Sequence, residues 1–265
     1  IHNLKTIGIG AQISFENFSV HWYRKEFTIG INYIEFSKKN ITLHPSKKMM
    51  IKMFQAALFD LDGVVIDTES QYTTFWTDIF KRYHCGGEVQ AKKIKGQTLT
   101  QIYHTYFADN IELQRLISSE LNEFEQHMNY PYILGSESFI KSLRDANIPT
   151  ALVTSSNQEK MKNVFSAHPE LPFYFKVILT ADDISHSKPA PDGYLLAASR
   201  LGIPSTECVV FEDSINGLKS GRSAGSKVIG LSTTNPKKDI VPLSDLVIPN
   251  FSTIASLEWL NEQIR

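Results

Sequence analysis

Cysteine is scarce: the 265 residues contain only Cys85 and Cys208, and no CxxC pair. This excludes a disulfide framework and a thiolate metal site, and it suits a reducing compartment. Charge of one sign is also missing, since 27 Lys and Arg face 28 Asp and Glu. No basic field points to nucleic acid, and no polybasic run points to an anionic membrane surface. No apolar run is long enough to span a bilayer, and no charged-then-apolar leader opens the sequence. The expectation is a cytoplasmic protein with neither nucleic acid nor membrane as a partner. The Asn-x-Ser/Thr triplets at Asn17, Asn40 and Asn250 then read as chance matches. Repeats and low-complexity segments are absent, nothing signals an oligomer, and a monomer is expected.

Methionine is missing from the first 48 residues, where seven Lys and Arg face three Glu. Phe15, Phe18, Val20, Trp22, Phe27, Ile29, Ile31 and Tyr33 alternate weakly, like an edge strand without clear turn punctuation. Residues 1–48 are expected to be an N-terminal extension upstream of the native start, because the chemistry begins soon after Met49.

What is present, at 42% hydrophobic and 21% charged, is an ordinary globular composition. Short apolar runs occur at 54–59, 149–153, 175–179, 207–211, 227–231 and 246–248. Such runs suit strands buried on both faces of a parallel sheet. Between most of them the spacing is helical: Met161, Val164 and Phe165 share a face, as do Tyr194, Leu195, Ala198 and Leu201. Ile254, Leu257, Leu260 and Ile264 predict a last amphipathic helix. The fold class is therefore α/β, a Rossmann-like parallel sheet core with helices on both faces. Residues 70–133 are too long for one crossover. Tyr72, Phe75, Trp76, Ile79, Phe80 and Tyr83 mark one helix there, and Leu113, Leu116, Leu121 and Phe124 mark another. An inserted α-helical domain over 70–133 is predicted, with the core formed by 49–69 and 134–265.

The first run ends in Asp60-Leu61-Asp62-Gly63, two carboxylates at a strand's carboxyl end. Crowded charges at such an edge repel and lose hydration unless a cation compensates. The motif alone could equally be a loop that caps the next helix. The other strand ends add Thr154-Ser155-Ser156-Asn157, then Lys188 before prolines, then Glu212-Asp213-Ser214. Hydroxyls at a helix start can be a cap or a phosphate cradle. Arriving at successive strand ends, these groups come in the order needed to surround one phosphoryl group.

With these motifs in order over roughly 54–250, the sequence resembles the haloacid dehalogenase-like superfamily. FDLDGVVIDTE, SKPAPD and FEDSINGLKSG are similar to its branch of β-phosphoglucomutases and sugar-phosphate phosphatases. The resemblance implies that the helical insert is a small cap. It implies Asp60 as a nucleophile that forms an aspartyl-phosphate, and Asp62 as general acid and then base. Thr154 and Ser155 would hold the phosphoryl group, and Lys188 would neutralise it. Mg2+ would be held by Asp60, Asp62 through its carbonyl, and Asp213, with Glu212 a supporting or additional ligand. Thr68 would lie at the core–cap hinge. Asn157 and the cap loop at Gly96, Gln97 and Thr98 would contact a small phosphorylated metabolite, and the neutrality of that loop favours a sugar phosphate.

Asp62 disfavours true dehalogenation, since departing halide needs no proton. The mutase-like branch usually has a histidine where Tyr72 stands and an arginine where Leu99 stands; both departures favour a phosphatase over a mutase. A non-catalytic phosphometabolite-binding protein is the remaining alternative. His84 and Cys85 read as the end of a helix, His186 as a solvated loop residue, and Phe75, Trp76 and Phe80 as cap core.

Overall fold

The computed structural model describes residues 54–108 and 110–264, together with the backbone of four short strands nearer the N-terminus. Those strands are β1 (Gly10–Ile13), β2 (Val20–Tyr23), β3 (Ile31–Phe36) and β4 (Ile41–Pro45). They pair antiparallel, β1 with β2 and β3 with β4, within a unit of residues 1–52. Val20, Trp22, Ile31 and Tyr33 thus fall in paired strands; Phe15, Phe18, Phe27 and Ile29 lie outside the described residues. The expectation that 1–48 is an extension also falls mostly outside them.

Residues 53–265 form the second unit. It opens with β5 (Ala56–Phe59), from which the chain passes into four helices: α1 (Glu69–Arg82), α2 (Glu88–Lys93), α3 (Leu99–Tyr106) and α4 (Ile111–His127). These helices bury a cluster of their own around Trp76, Ile79, Phe80, Ile102, Phe107 and Ile117. Two backbone hydrogen bonds tie the exit and return segments together: Asp67 N to the Pro131 carbonyl (2.7 Å) and Ile133 N to the Val65 carbonyl (3.0 Å). The inward face of α4 differs from the predicted one. Leu116 is 49% exposed and Ile117 is fully buried. The face runs Leu113, Ile117, Leu121, Phe124, which keeps the i, i+4, i+8 register.

The chain then alternates α5 (Ser136–Asp145), β6 (Thr150–Val153), α6 (Gln158–Ala167), β7 (Val177–Leu179) and α7 (Asp192–Leu201). It ends with β8 (Cys208–Glu212), α8 (Ile215–Ser223), β9 (Lys227–Leu231), α9 (Lys237–Ile240), β10 (Leu246–Ile248) and α10 (Leu257–Gln263). Five of the six apolar runs contain their strand, and 207–211 covers all of β8 but its last residue, Glu212. The strands form one parallel sheet in the order β10-β9-β8-β5-β6-β7. Alternate residues feed two cores: Ala57, Phe59, Leu152 and Phe211 on one face, Ala56, Leu58, Val153 and Val210 on the other. Coverage of both faces is why the runs are apolar throughout. On α7, Leu195 is 42% exposed while Tyr194, Ala197 and Ala198 are buried, so the sheet face keeps the predicted Tyr194 and Ala198 and takes Ala197 in place of Leu195. Phe59 stacks on Phe211, ring centroids 4.7 Å apart, with Phe139 and Phe251 packed around them. This aromatic block fixes the ends of β5 and β8. Chain order reverses between those two strands, the place where open α/β sheets leave a crevice.

Candidate active site

β5 delivers Asp60 to the carboxyl edge of the sheet, and β8 beside it delivers Glu212 and then Asp213. Lys188, in the loop before α7, lies behind them. Its Nζ donates to Asp60 Oδ1 (2.5 Å), Glu212 Oε1 (2.6 Å) and the Val153 carbonyl (3.1 Å). The ammonium also sits 5.1 Å from the centre of the Tyr194 ring, whose hydroxyl donates to Glu212 Oε1 (3.0 Å). Glu212 Oε2 accepts from the amides of Asp213 (2.9 Å) and Ser214 (3.1 Å) and from the Ser214 hydroxyl (3.1 Å). Both Glu212 oxygens are therefore engaged by protein donors. α8 approaches so closely that a Cβ on Gly217 would overlap the Glu212 carboxylate.

Asp213 is different. Its Oδ2 is buried and accepts no hydrogen bond among the described residues. Gly63, at φ 76°, lets the loop after Asp60 turn against it; a side chain there would collide with that oxygen. Asp60, Glu212 and Asp213 each bring an oxygen within 4.8 Å of the others. Burial pushes the Asp60 carboxyl up to about 8, against the pull of Lys188 and with repulsion from Glu212 and Asp62. Burial, then Glu69, Glu212 and Asp60, hold Asp213 well above the ordinary carboxylate range. Lys188 resists the lowering effect of burial, and Asp60 and Glu212 raise it above an ordinary lysine. Unpartnered oxygen, crowded carboxylates and an all-oxygen donor set fit a hard divalent cation.

Asp62 faces the cleft from the turn after β5. Its Oδ1 accepts from the Thr68 hydroxyl and from Lys160 Nζ (2.5 Å), and its Oδ2 from the Ser156 hydroxyl (3.0 Å) and the same Nζ (2.6 Å). Thr68 stands at the N-cap of α1 yet makes no side-chain capping bond, its hydroxyl being given to Asp62. The Thr154 hydroxyl accepts from Ser156 N (3.0 Å), and Asn157 caps α6 by accepting from Lys160 N (2.9 Å). From the insert, the turn between α2 and α3 lies over these strand ends. The Gly96 carbonyl accepts from the Ser155 hydroxyl (3.1 Å), and Thr98 caps α3. Gln101 donates to the Lys188 carbonyl (3.1 Å), while Gln97 Oε1 is buried without a partner among the described residues.

The result is a cleft of about 480 Å3 between insert and sheet edge. Every sequence-predicted site residue lines it except Lys188 and Glu212, which lie behind Asp60 and are bonded to each other. The sequence reading missed Lys160, Ser156, Glu125 and the Glu69–Lys95 ion pair (2.8 Å), all of which line the cleft. Ser156 belongs to the hydroxyl cluster and could have been found there. Lys160, Glu69 and Glu125 sit at ordinary helical positions that read as solvated surface. His186 is solvated, 77% exposed and 2.7 Å from Asp192. His84 follows α1 in the left-handed region, and Trp76 and Phe80 are buried in the insert's core.

Comparison with known proteins adds to this geometry. The family model of haloacid dehalogenase-like hydrolases matches residues 57–231. A fructose-1-phosphate phosphatase of Escherichia coli is 30% identical over 68% of this chain and 97% of its own length. A bifunctional riboflavin kinase/FMN phosphatase of Arabidopsis thaliana is 28% identical over 78% of this chain, and the match spans 56% of that longer protein. Among solved structures, a family IA, variant 3 hydrolase from Entamoeba histolytica superposes with a TM-score of 0.69 at 26% identity, covering 79% of this chain and 99% of its own. Among the described residues no helix is long and apolar enough to cross a membrane. A six-stranded parallel sheet, a helical insert after its first strand and acidic strand ends at the switch point thus agree with a match over most of the chain, which belongs to the haloacid dehalogenase-like hydrolase family.

Proposed function

We propose that this hydrolase is a magnesium-dependent phosphatase that cleaves a small phosphorylated metabolite, a sugar phosphate being favoured, through an aspartyl-phosphate on Asp60. The observation that carries the reading is the pairing of a buried Asp60 with Lys188, beside an unpartnered Asp213 oxygen and an Asp62 that faces the same cleft. Residues 70–133 act as the cap, and residues 49–69 with 134–265 as the core. Asp60 and Asp213 would hold magnesium with the Asp62 carbonyl, while Glu212, whose oxygens are already engaged, orients Lys188. Bound there, the ion supplies positive charge that offsets repulsion between Asp60 and the phosphate dianion.

An oxygen of Asp60 attacks phosphorus as the bond to the ester oxygen breaks; Asp62, whose oxygens here only accept, takes up a proton before this step and gives it to that leaving oxygen. Thr154 and the Ser155 amide hold the transferring group, and Lys188 neutralises its charge. Water then attacks the aspartyl-phosphate. Asp62 takes the water's proton, the bond to Asp60 breaks, and inorganic phosphate leaves. Gln97, Thr98 and Asn157 are neutral hydrogen-bonding groups in the cleft and suit the hydroxyls of a polyol. The phosphatase relative named above acts on fructose 1-phosphate. Tyr72 and Leu99 occupy the places where a mutase of this branch would carry histidine and arginine, and Tyr72 is committed to Glu125 (2.7 Å). That removes two grips for a second phosphate.

The test is phosphate release across sugar phosphates, nucleotides and pyrophosphate, with magnesium or a chelator, and with Asp60→Asn as control. Magnesium-dependent release that is lost in Asp60→Asn is expected. Isomerisation of β-glucose 1-phosphate without release would make the enzyme a mutase, and tight binding without turnover would make it a binding protein.

A further inference from the structure

Lys160 is a lysine without an assigned task. It lies in the first turn of α6, 4% exposed, and its ammonium holds both oxygens of Asp62 at 2.5 and 2.6 Å. Burying an ammonium is costly, because the ion gives up its hydration. A helix surface could have avoided that cost with any apolar side chain, so the site must gain something from the charge. The environment of Lys160 is built on its far side as well. The Tyr72 ring of α1 lies 4.4 Å from Nζ, in cation–π contact. The Tyr72 hydroxyl donates to Glu125 Oε1 of α4 (2.7 Å), and Glu125 is itself 4% exposed. The Tyr130 hydroxyl, donating to the Glu125 carbonyl, steadies that end. An unbroken chain of contacts, buried at Lys160 and Glu125 and half-buried at Asp62 and Tyr72, therefore runs Asp62–Lys160–Tyr72–Glu125, from the reacting edge of the sheet into two helices of the insert.

We propose that Lys160 is the positioning residue for Asp62, and that Tyr72 and Glu125 of the insert aim it. The inference rests on the reading of Asp62 as the group that protonates the leaving oxygen. A carboxyl on a turn can rotate about two side-chain bonds, and misplacing a proton donor by about 1 Å costs on the order of 100-fold. Thr68 and Ser156 each restrain one oxygen, and Lys160 draws both toward one charge, so the three groups together hold the carboxyl. The ammonium is buried at the cleft wall, held between the Asp62 carboxylate and the insert's Tyr72 ring. Tyr72, at the place of a substrate-gripping histidine in the mutase-like branch, is spent here on an internal contact.

The role has a signature that a merely structural lysine lacks. Proton donation matters most when the leaving group is poor, so a displaced Asp62 hurts phenyl phosphate more than p-nitrophenyl phosphate. kcat/KM for both esters should be measured on the full chain with magnesium, for the wild type, Lys160→Met, Lys160→Arg and Asp62→Asn. Lys160→Met is expected to widen the p-nitrophenyl-to-phenyl ratio by roughly 10-fold, part of the ~100-fold or more attributable to a general acid. Lys160→Arg restores most of the ratio, and Asp62→Asn widens it further than either. Tyr72→Leu, which leaves the lysine in place, is the second variant should Lys160→Met fail to fold, and a ratio widened by a few-fold is expected of it. Equal losses on both esters, or an unchanged ratio in folded Lys160→Met and Tyr72→Leu, would overturn the proposal. A ratio unchanged in Asp62→Asn would instead strike the acid–base reading beneath it, and wild-type silence on both esters would overturn the phosphatase and this role together.

Discussion

At the scale of single residues, the site is a balance of charge that protein groups alone leave incomplete. Asp60, Asp62, Glu69, Glu212 and Asp213 gather around the cleft floor, and the ammonium groups of Lys95, Lys160 and Lys188 answer them. Asp60 is the carboxylate whose removal the enzyme least tolerates and the fold most tolerates. Its carboxyl is raised by burial to about 8, so above that pH its charge is held against an opposing environment. Asp60→Asn keeps the shape, leaves Lys188 paired with Glu212, and removes one charge from the cluster. It is expected to abolish turnover while matching or exceeding the wild type's thermal stability in chelator at pH 8 to 9. A thermal melt beside a phosphate-release assay checks both halves, and a variant that melts several degrees lower would count against the crowding argument. Most of these carboxylates were legible in the sequence because acidic residues at strand ends are costly and hence informative. Lys160 and Glu125 were not, because a charged residue on a helix looks like surface until the packed neighbour is known.

At the scale of elements, the strands were readable and the helix faces only partly so. A strand buried on both sides needs no choice of register, and each apolar run from 54–59 to 246–248 coincides with one to within a residue or two at its ends. A helix with adjacent apolar residues offers two faces about 100° apart, and only the partner decides. The insert's core chose Ile117 over Leu116, and close packing on the sheet chose Ala197 over Leu195. The same closeness makes α8 part of the site without giving it a reacting group. Gly217 leaves room for the Glu212 carboxylate, and through it for Lys188 and Asp60. Gly217→Ala would normally favour a helix by about 1 kcal/mol. Here it is expected to displace Glu212, lower stability and reduce kcat at least about 10-fold. Circular dichroism melts and steady-state rates test this; a more stable, fully active variant would show that Glu212 can move freely.

At the scale of the whole molecule, the sheet supplies the fixed groups and the turn between α2 and α3 lies over them, the insert being joined through two hydrogen-bonded connecting segments at Asp67 and Ile133. The acidic edge then links stability to both pH and metal. Asp60 and Asp213 take up protons in the folded chain at higher pH than in the unfolded chain, where they titrate near 3.8. Between about pH 4 and about 8 the folded state therefore holds protons that the unfolded state has released, so the contribution of these groups to stability falls as pH rises through that window. A divalent cation competes for the same oxygens and binds the ionised folded form, so it adds most stability where the protons have left. Melting temperatures taken at pH 5, 6.5 and 8 are expected to fall with pH in chelator and to fall less, or rise, with magnesium. The gap between the two series should be smallest at pH 5 and should shrink throughout in Asp60→Asn. Parallel series, with a gap independent of pH, would mean that the cation and these protons do not share a site.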